Sequence, residues 1–301
     1  MITADPGRAQ TSLRETEALL NKRHLDWHPW KNGDLGQFNQ ALHAHPQRGV
    51  HIPDSLQTLI RLSTHYYQLT EGRFNPALGA LISAWGFHQS TQPDHQRIEQ
   101  IKRNLPGMQD LVINDQLAFS NNPFLQLDFG AIAKGLAVSE IAELLTMHSI
   151  NDFIINAGGD IYASGSNLKR PWRVAIEDPF QPGVIADLEL ASGMSIFTSG
   201  NYHRRYTDEN NIPRHHIIDP SSGEPSRQIS AATVIHADPV IADIAATTLM
   251  LTETAGILSM AGKLGITDFL VITESKDVFI NQQLAQRIHW LKPDDFTLHV
   301  F

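Results

Sequence analysis

The pattern of apolar and polar positions divides the chain into a helical first half and a strand-rich second half. Apolar residues recur at helical spacing over 12–25, 53–69, 74–87, 96–104 and 131–147, with a shorter helical stretch at 35–42. Ser55 is the expected cap of the second of these helices. Short apolar or alternating runs predict strands near 111–113, 117–119 and 124–128.

Beyond residue 150, short apolar runs dominate, and they predict strands at 153–156, 172–177, 184–190, 195–199, 215–218, 231–236 and 268–273. Helices are expected at 238–251 and 253–264, followed by a hairpin-like pair of strands near 277–288. This succession favours an α+β fold with mixed, mostly antiparallel sheets flanked by helices. We expect residues 1–301 to form one domain, with two intimately joined lobes as the alternative.

Composition narrows the function classes. A formal net charge of -9 argues against non-specific nucleic-acid binding. The absence of cysteine excludes disulfides, thiolate metal sites and a cysteine nucleophile. No apolar run reaches the roughly 18 residues of a membrane span. Residues 1–11 are polar and lack the apolar stretch of a signal peptide, so the sequence fits either a cytoplasmic protein or a mature or trimmed form.

One stretch, residues 127–135, combines Asp128, two glycines and Lys134 where a predicted strand turns into a predicted helix. Glycines allow close approach of the backbone to a ligand, and the first N–H groups of a helix attract anions. The lysine adds a positive charge, so the stretch suits a phosphate or pyrophosphate group. Packing of small residues at a strand–helix junction is an equally good explanation of this stretch taken alone.

Two later segments also have a functional and a structural interpretation. Residues 156–160 follow a strand and include two adjacent glycines that could face a ligand, although a tight hairpin turn is favoured. His216, next to His215, lies beside a hydroxyl-rich loop and is a candidate general base, against the alternative of a satisfied core histidine. Asp219 is expected to cap a turn.

The predicted helix at 238–251 carries Asp243 and Thr247 four residues apart, so that both side chains share a face. A carboxylate and a hydroxyl suit Mg²⁺, which needs only one or two protein ligands when phosphate oxygens complete its shell. The alternative is an acidic residue that complements the helix dipole. Aromatic residues at Phe74 and 85–87 could stack a flavin or adenine ring, or simply pack in the core.

Taken in order, seven segments resemble the motifs of the ApbE family, the FAD:protein FMN transferases. They are Gly72–Pro76, Asp128–Gly135, Asn156–Asp160, Trp172–Pro179, Thr198–Tyr202, His216–Pro225 and Ala242–Thr247. The resemblance covers about residues 26 to 251. Because seven motifs occur in the correct order, their coincidence is far more specific than any one of them.

The resemblance implies an enzyme that splits FAD with Mg²⁺, transfers the FMN half to a threonine hydroxyl of a target protein as a phosphoester, and releases AMP. The implied targets are membrane redox subunits of the Na⁺-pumping quinone reductase and Rnf type. Alternatives are an FAD pyrophosphatase that yields FMN and AMP, and a non-catalytic FAD-binding protein. Family resemblance also implies a periplasmic or inner-membrane-associated protein, whereas the lack of a signal peptide and a lipid-anchor cysteine leaves the cytoplasm open.

The same resemblance assigns roles to individual residues. Asp243, Thr247 and the backbone carbonyl of Ala131 would hold Mg²⁺. His216 would be the catalytic histidine. Contacts with FAD would come from a larger set: Trp30, Phe74, Asn75, Asp128, Lys134 and Ile218, the last through its backbone.

The chain also departs from the family pattern. Asn75 stands where the family usually has Asp, which removes one acceptor. Ser221-Ser222-Gly223 lacks the Arg of the usual turn, and Ala246 replaces a second Asp that some members carry. The change at Asn75 predicts an altered flavin contact, and the change at Ala246 predicts a leaner metal site.

Overall fold

The structure is a computed structural model that describes residues 1–3, 5–44, 48–87, 92–202, 205–207 and 213–301. The chain folds into two compact units, each built from discontinuous stretches. We call them the sheet unit (Met1–Leu20, Lys134–Tyr202 and Arg227–Phe301) and the helical unit (the described residues of Asn21–Ala133 and His203–Ser226). Within the described ranges, no helix is long and apolar enough to cross a membrane.

The first part of the chain is mainly helical. Its elements are α1 (Pro6–Asp26), α2 (Asp34–Ala44), β1 (Val50–His51), α3 (Asp54–Leu69), α4 (Gly79–Ala84), α5 (His95–Lys102), β2 (Leu111–Asn114) and β3 (Leu117–Ser120). In the helical unit, β1, β3 and β2 pair in that order as an antiparallel sheet. One face of α3, with Leu56, Leu59 and Ile60, is buried, as its apolar spacing predicts.

The second part of the chain is richer in strands. Its elements are α6 (Ala133–Met147), β4 (Phe153–Ala157), β5 (Asp160–Ser164), β6 (Trp172–Glu177), β7 (Val184–Leu190), β8 (Met194–Gly200), β9 (Arg205–Thr207), β10 (Pro213–His215), β11 (Ile229–His236), α7 (Pro239–Met250), α8 (Ile257–Lys263), β12 (Asp268–Thr273), β13 (Asp277–Ile280), α9 (Gln282–Ala285), β14 (His289–Trp290) and β15 (Thr297–Val300). The two short strands β9 and β10 pair with each other in the helical unit.

A seven-stranded sheet organises the sheet unit, in the order β15-β13-β12-β11-β8-β5-β4. Neighbouring strands are antiparallel except β13 and β15, which are parallel. Apolar side chains of this sheet and of a second sheet, β14-β7-β6, form the main core, while α7 packs on β8 and β11. Every residue of β12 is buried, which accounts for its unbroken apolar run. The predicted α+β fold with mostly antiparallel sheets is confirmed.

The strand predicted at 124–128 is wrong in detail. Only a single bridge forms there, between Gln126 and Leu78. The side chain of Asn39 takes the place of a neighbouring strand: its Nδ2 donates to the Leu127 carbonyl oxygen (2.9 Å) and its Oδ1 accepts from the Leu127 N–H (2.8 Å). A buried amide therefore satisfies the backbone N–H and carbonyl of Leu127.

Three other local predictions are also corrected. The expected hairpin near 277–288 is wrong because β13 pairs with β12 and β15, and α9 follows it. The strand expected at 215–218 is replaced by β10, which ends at His215, and by an isolated bridge at Ile218. Ser55 does not cap α3; its hydroxyl donates to the carboxylate of Asp34 instead.

Candidate active site

Helix α7 carries the predicted carboxylate–hydroxyl pair. The helix begins where Asp238 caps it, since the Asp238 carboxylate accepts from the Val240 N–H at 2.8 Å. Asp243 is 3% exposed, and Thr247 lies one turn further along and is half-buried. The Thr247 Oγ1 lies 2.9 Å from the Ser199 Oγ of β8, so the two hydroxyls share a hydrogen bond.

The first turn of α6 holds the Asp243 carboxylate. The Gly135 N–H donates to Asp243 Oδ2 at 2.8 Å. Glycine is needed at this position because a Cβ on residue 135 would lie 2.5 Å from the Pro239 carbonyl oxygen and 2.8 Å from the Val240 Cα. Both obstacles are backbone atoms, so only a residue without a side chain allows α6 to approach the start of α7 this closely.

Burial raises the pKa of Asp243 from its ordinary value of 3.8 to about 7. The nearby carboxylate of Asp160 raises this pKa further, while the Lys134 ammonium and the backbone N–H groups of Lys134 and Gly135 lower it. Taking the charged carboxylate out of water is unfavourable, so a cation bound here would stabilise its ionised form. The sheet unit therefore contains a carboxylate that is prepared for a positively charged ligand.

The donor set fits Mg²⁺. A carboxylate and a hydroxyl are hard oxygen ligands, and Mg²⁺ sites in phosphate-handling proteins use few protein ligands. Among the described residues, no group of three or more His, Cys, Asp or Glu side chains could hold a metal ion. Ala246 is buried on α7, and the leaner metal site that it predicts stays a prediction. Asp243 and Thr247 would hold the ion, and the contribution of the Ala131 carbonyl stays a prediction.

Lys134, at the start of α6, pairs with a carboxylate that the sequence did not single out as a site residue. Its ammonium contacts Asp160 Oδ2, and Asp160 Oδ1 accepts from the Thr198 N–H at 2.9 Å. Gly158 and Gly159 have φ angles of +74° and +104°, so they form the two-residue turn between β4 and β5 that the sequence favoured. The five-residue motif at 156–160 thus shapes a hairpin and also places a buried carboxylate beside Lys134.

The structure brings Phe74, Asn75 and Asp128 together in the helical unit. The Asp128 N–H donates to the Pro76 carbonyl oxygen at 2.8 Å. Asn75 Nδ2 donates to the Pro106 carbonyl oxygen at 2.9 Å, a bond that an ionised Asp could not make. Phe74 is 1% exposed, and its backbone N–H donates to Thr70 Oγ1 at 3.0 Å, so its contact with FAD stays a prediction.

The segment that carries His216 is tied to α4 and α5 within the helical unit. Trp85 Nε1 donates to the Gly223 carbonyl oxygen at 3.0 Å, and Lys102 Nζ lies 2.7 Å from Glu224 Oε1. The Glu224 ion pair raises the pKa of Lys102. Buried Ile218 packs in the same cluster as Trp85. These contacts fix the ends of the segment on either side of its turn.

The two adjacent histidines differ in their surroundings. His215 is 6% exposed, and its Nε2 lies 2.7 Å from the Ser226 carbonyl oxygen, as expected of a satisfied core histidine. His216 is half-buried. Asp219 caps the following turn, since its Oδ1 accepts from the Ser221 N–H at 2.8 Å, in agreement with the structural interpretation. The catalytic role of His216 stays a prediction.

Trp30 lies in the connection between α1 and α2, in the helical unit. Its backbone N–H donates to His28 Nδ1 at 3.2 Å, and the two rings meet edge to face with centroids 5.9 Å apart. The indole is half-buried. The contact between Trp30 and FAD stays a prediction. The same holds for the other residues predicted to contact FAD, including Lys134, Asp128 and Ile218.

Comparison with known proteins identifies the family. The ApbE family model matches residues 2–270. An FAD:protein FMN transferase of Rhodobacter capsulatus is 34% identical over 285 residues, which are 93% of this chain and 54% of that relative. One of Vibrio cholerae is 30% identical over 254 residues, covering 81% of this chain and 75% of the relative. The chain belongs to the ApbE family.

Solved structures agree with this assignment. The ApbE protein of Thermotoga maritima has the same fold, with a TM-score of 0.83 at 23% identity over 92% of this chain and 91% of that one. The apo form of the Pseudomonas stutzeri flavinyl transferase ApbE gives a TM-score of 0.74 at 26% identity over 88% and 83%. The predicted family is confirmed. The Rhodobacter and Vibrio relatives are both named as transferases.

Proposed function

We propose that this protein is an Mg²⁺-dependent FAD:protein FMN transferase. It would cleave the pyrophosphate of FAD, attach FMN through a phosphoester bond to a threonine of a protein acceptor, and release AMP. The names of its relatives support flavin transfer. The chain spans about half of the Rhodobacter relative, so the complete activity is our proposal for this chain.

The observation that carries the proposal is the network around Asp243 in the sheet unit. A buried carboxylate, the hydroxyl of Thr247 and the ammonium of Lys134 lie on two helices whose first turns are in contact. Together they offer an oxygen site for a divalent cation and a positive charge beside it. A pyrophosphate with bound Mg²⁺ needs both of these features.

The proposed reaction exchanges a phosphoanhydride bond of FAD for a phosphoester bond on the acceptor. The threonine oxygen of the acceptor forms a bond to the phosphorus of the FMN half, and the bond from that phosphorus to the oxygen bridging to the AMP phosphate breaks. The hydroxyl proton passes to His216, and AMP leaves with the electron pair of the broken bond. When bound, Mg²⁺ would neutralise charge on the pyrophosphate oxygens. No oxidation or reduction is involved.

Among protein residues, Lys134 would bind the same oxygens electrostatically, and the burial of Asp243 would keep competing water from the carboxylate. The acceptor is proposed to be a membrane redox-complex subunit that exposes a threonine. FAD itself would be held by the predicted contacts of the helical unit.

The test uses the full chain with FAD, Mg²⁺ and a folded acceptor domain, alongside the same domain with its acceptor threonine changed to valine. The proposal predicts a mass gain equal to one FMN moiety on the threonine form alone, with AMP in the supernatant. AMP without a mass gain on either domain would indicate a pyrophosphatase. Bound FAD without AMP would indicate a flavin-binding protein.

A further inference from the structure

Asp160 is a buried carboxylate that the proposed reaction does not use. It follows the Gly158–Gly159 turn as the first residue of β5, and its side chain is 3% exposed. Each carboxylate oxygen has a partner: Oδ1 accepts from the Thr198 N–H of β8, and Oδ2 contacts the Lys134 ammonium. A buried carboxylate held on two sides is a rigid point of attachment.

The Lys134 ammonium contacts this rigid group. Its side chain is 48% exposed, and an ammonium has three donors. A lysine side chain otherwise samples many rotamers, so a fixed carboxylate restricts where its charge can be. The pairing brings together three motifs that are separate in the sequence, those of Lys134, Asp160 and Thr198.

We infer that Asp160 is a positioning residue: it fixes the Lys134 ammonium beside Asp243 so that this charge meets the pyrophosphate of FAD. The inference rests on the proposed function. Both oxygens of Asp160 are engaged by protein donors, the Thr198 N–H and the Lys134 ammonium. Asp243 differs because it accepts from backbone N–H groups at the start of α6. Asp160 therefore acts through Lys134 and not as a ligand of the cation.

Asp160→Asn is the informative variant because it keeps the size of the side chain. The remaining Oδ1 can still accept from the Thr198 N–H, so the attachment of β5 to β8 survives. The amide group then presents donors to the lysine, which also only donates. The substitution removes the Lys134 pairing and leaves the rest of the hairpin in place.

The decisive measurement is flavin affinity without turnover, by fluorescence in excess EDTA, for FAD and for riboflavin, which has no phosphate. We expect Asp160→Asn and Lys134→Met each to weaken FAD binding about tenfold and to leave riboflavin binding unchanged. The double variant should be no weaker than Lys134→Met, because the two changes remove one interaction.

Asp268→Asn is the matched control. Asp268 is also a buried carboxylate, 7% exposed, and it pairs with Arg287 at 3.0 Å in the sheet unit. We expect it to leave FAD affinity unchanged. Unchanged or tighter FAD binding in Asp160→Asn, or additive losses in the double variant, would overturn the inference. Wild-type protein that binds FAD but releases no AMP with Mg²⁺ would contradict the proposed function. The role of Asp160 would then still be decided by the FAD affinities of the variants.

Discussion

The replacement Asp243→Asn should make the metal-free protein more stable while abolishing its response to Mg²⁺. Asp243 is 3% exposed, and burial is the main cause of its raised pKa, about 7 against 3.8. At pH values between 3.8 and about 7, Asp243 is therefore protonated in the folded state and ionised in the unfolded state. Stability contributed by the neutral group declines as pH rises through this window. Asparagine is neutral throughout and keeps an oxygen for the Gly135 N–H.

The pKa difference sets the size of the effect. At about 1.4 kcal/mol per pKa unit, a pKa of about 7 against 3.8 corresponds to about 4 kcal/mol at a pH above both values. At about pH 5 only the lower part of this pH range has been passed, and the loss in the free energy of unfolding is about 2 kcal/mol. For a chain of this size each kcal/mol moves Tm by about 2 °C. The rise in Tm should therefore be at most about 8 °C at pH 8 and about half of that at pH 5.

The assay is thermal unfolding of wild type and variant in EDTA and in Mg²⁺, at both pH values. Wild type should gain stability from Mg²⁺ because the ion binds only the folded state, and the variant should not. Asp268→Asn should lower Tm instead, since the buried carboxylate loses its ion pair with Arg287 and the neutral amide gives nothing back. A lower Tm for Asp243→Asn in EDTA at pH 8, or a preserved Mg²⁺ response, would refute the reasoning.

Three further predictions concern the same site. Gly135→Ala should lower the free energy of unfolding by about 1–3 kcal/mol, because its Cβ would meet the Pro239 carbonyl. Gly262→Ala in α8, where a Cβ would have nothing within 4 Å, should not destabilise the protein. Equal changes in Tm for the two variants, measured by thermal unfolding, would contradict this. Since only ionised Asp243 would bind the metal, the Mg²⁺ concentration for half-maximal AMP release should fall about tenfold between about pH 6 and pH 8. A Mg²⁺ requirement that does not change with pH would refute this prediction. His216→Ala should lose transfer and still bind FAD, as measured by acceptor mass and flavin fluorescence; surviving transfer would exclude His216 as the base.

Local features of the fold and site could be predicted because they depend on residues close in sequence. The spacing of Asp243 and Thr247 on α7 follows from helical periodicity, and the Gly158–Gly159 turn follows from backbone conformation. The apolar run of β12 predicted a strand for a similar reason. In each case the pattern and its cause lie within one element.

Long-range pairing is what the sequence pattern could not supply. Lys134 and Asp160 lie 26 residues apart, and nothing local predicts that their side chains meet. Asn39 replaces a strand neighbour for Leu127 across 88 residues. The C-terminal strand β15 was not predicted; it pairs with β13, 20 residues earlier in the chain, and its apolar side chains Leu298 and Val300 are 41% and 52% exposed.

The central claim is that this chain transfers FMN, and the most direct measurement is the ratio of AMP released to flavin bound covalently to an acceptor domain. The protein would be incubated with FAD and Mg²⁺, the AMP quantified, and the flavin on the denatured acceptor counted by its absorbance and mass. The account predicts one AMP for each flavinylated threonine, with neither product when Asp243→Asn replaces the wild type. Steady AMP release without covalent flavin, or covalent flavin that survives in the variant, would contradict it.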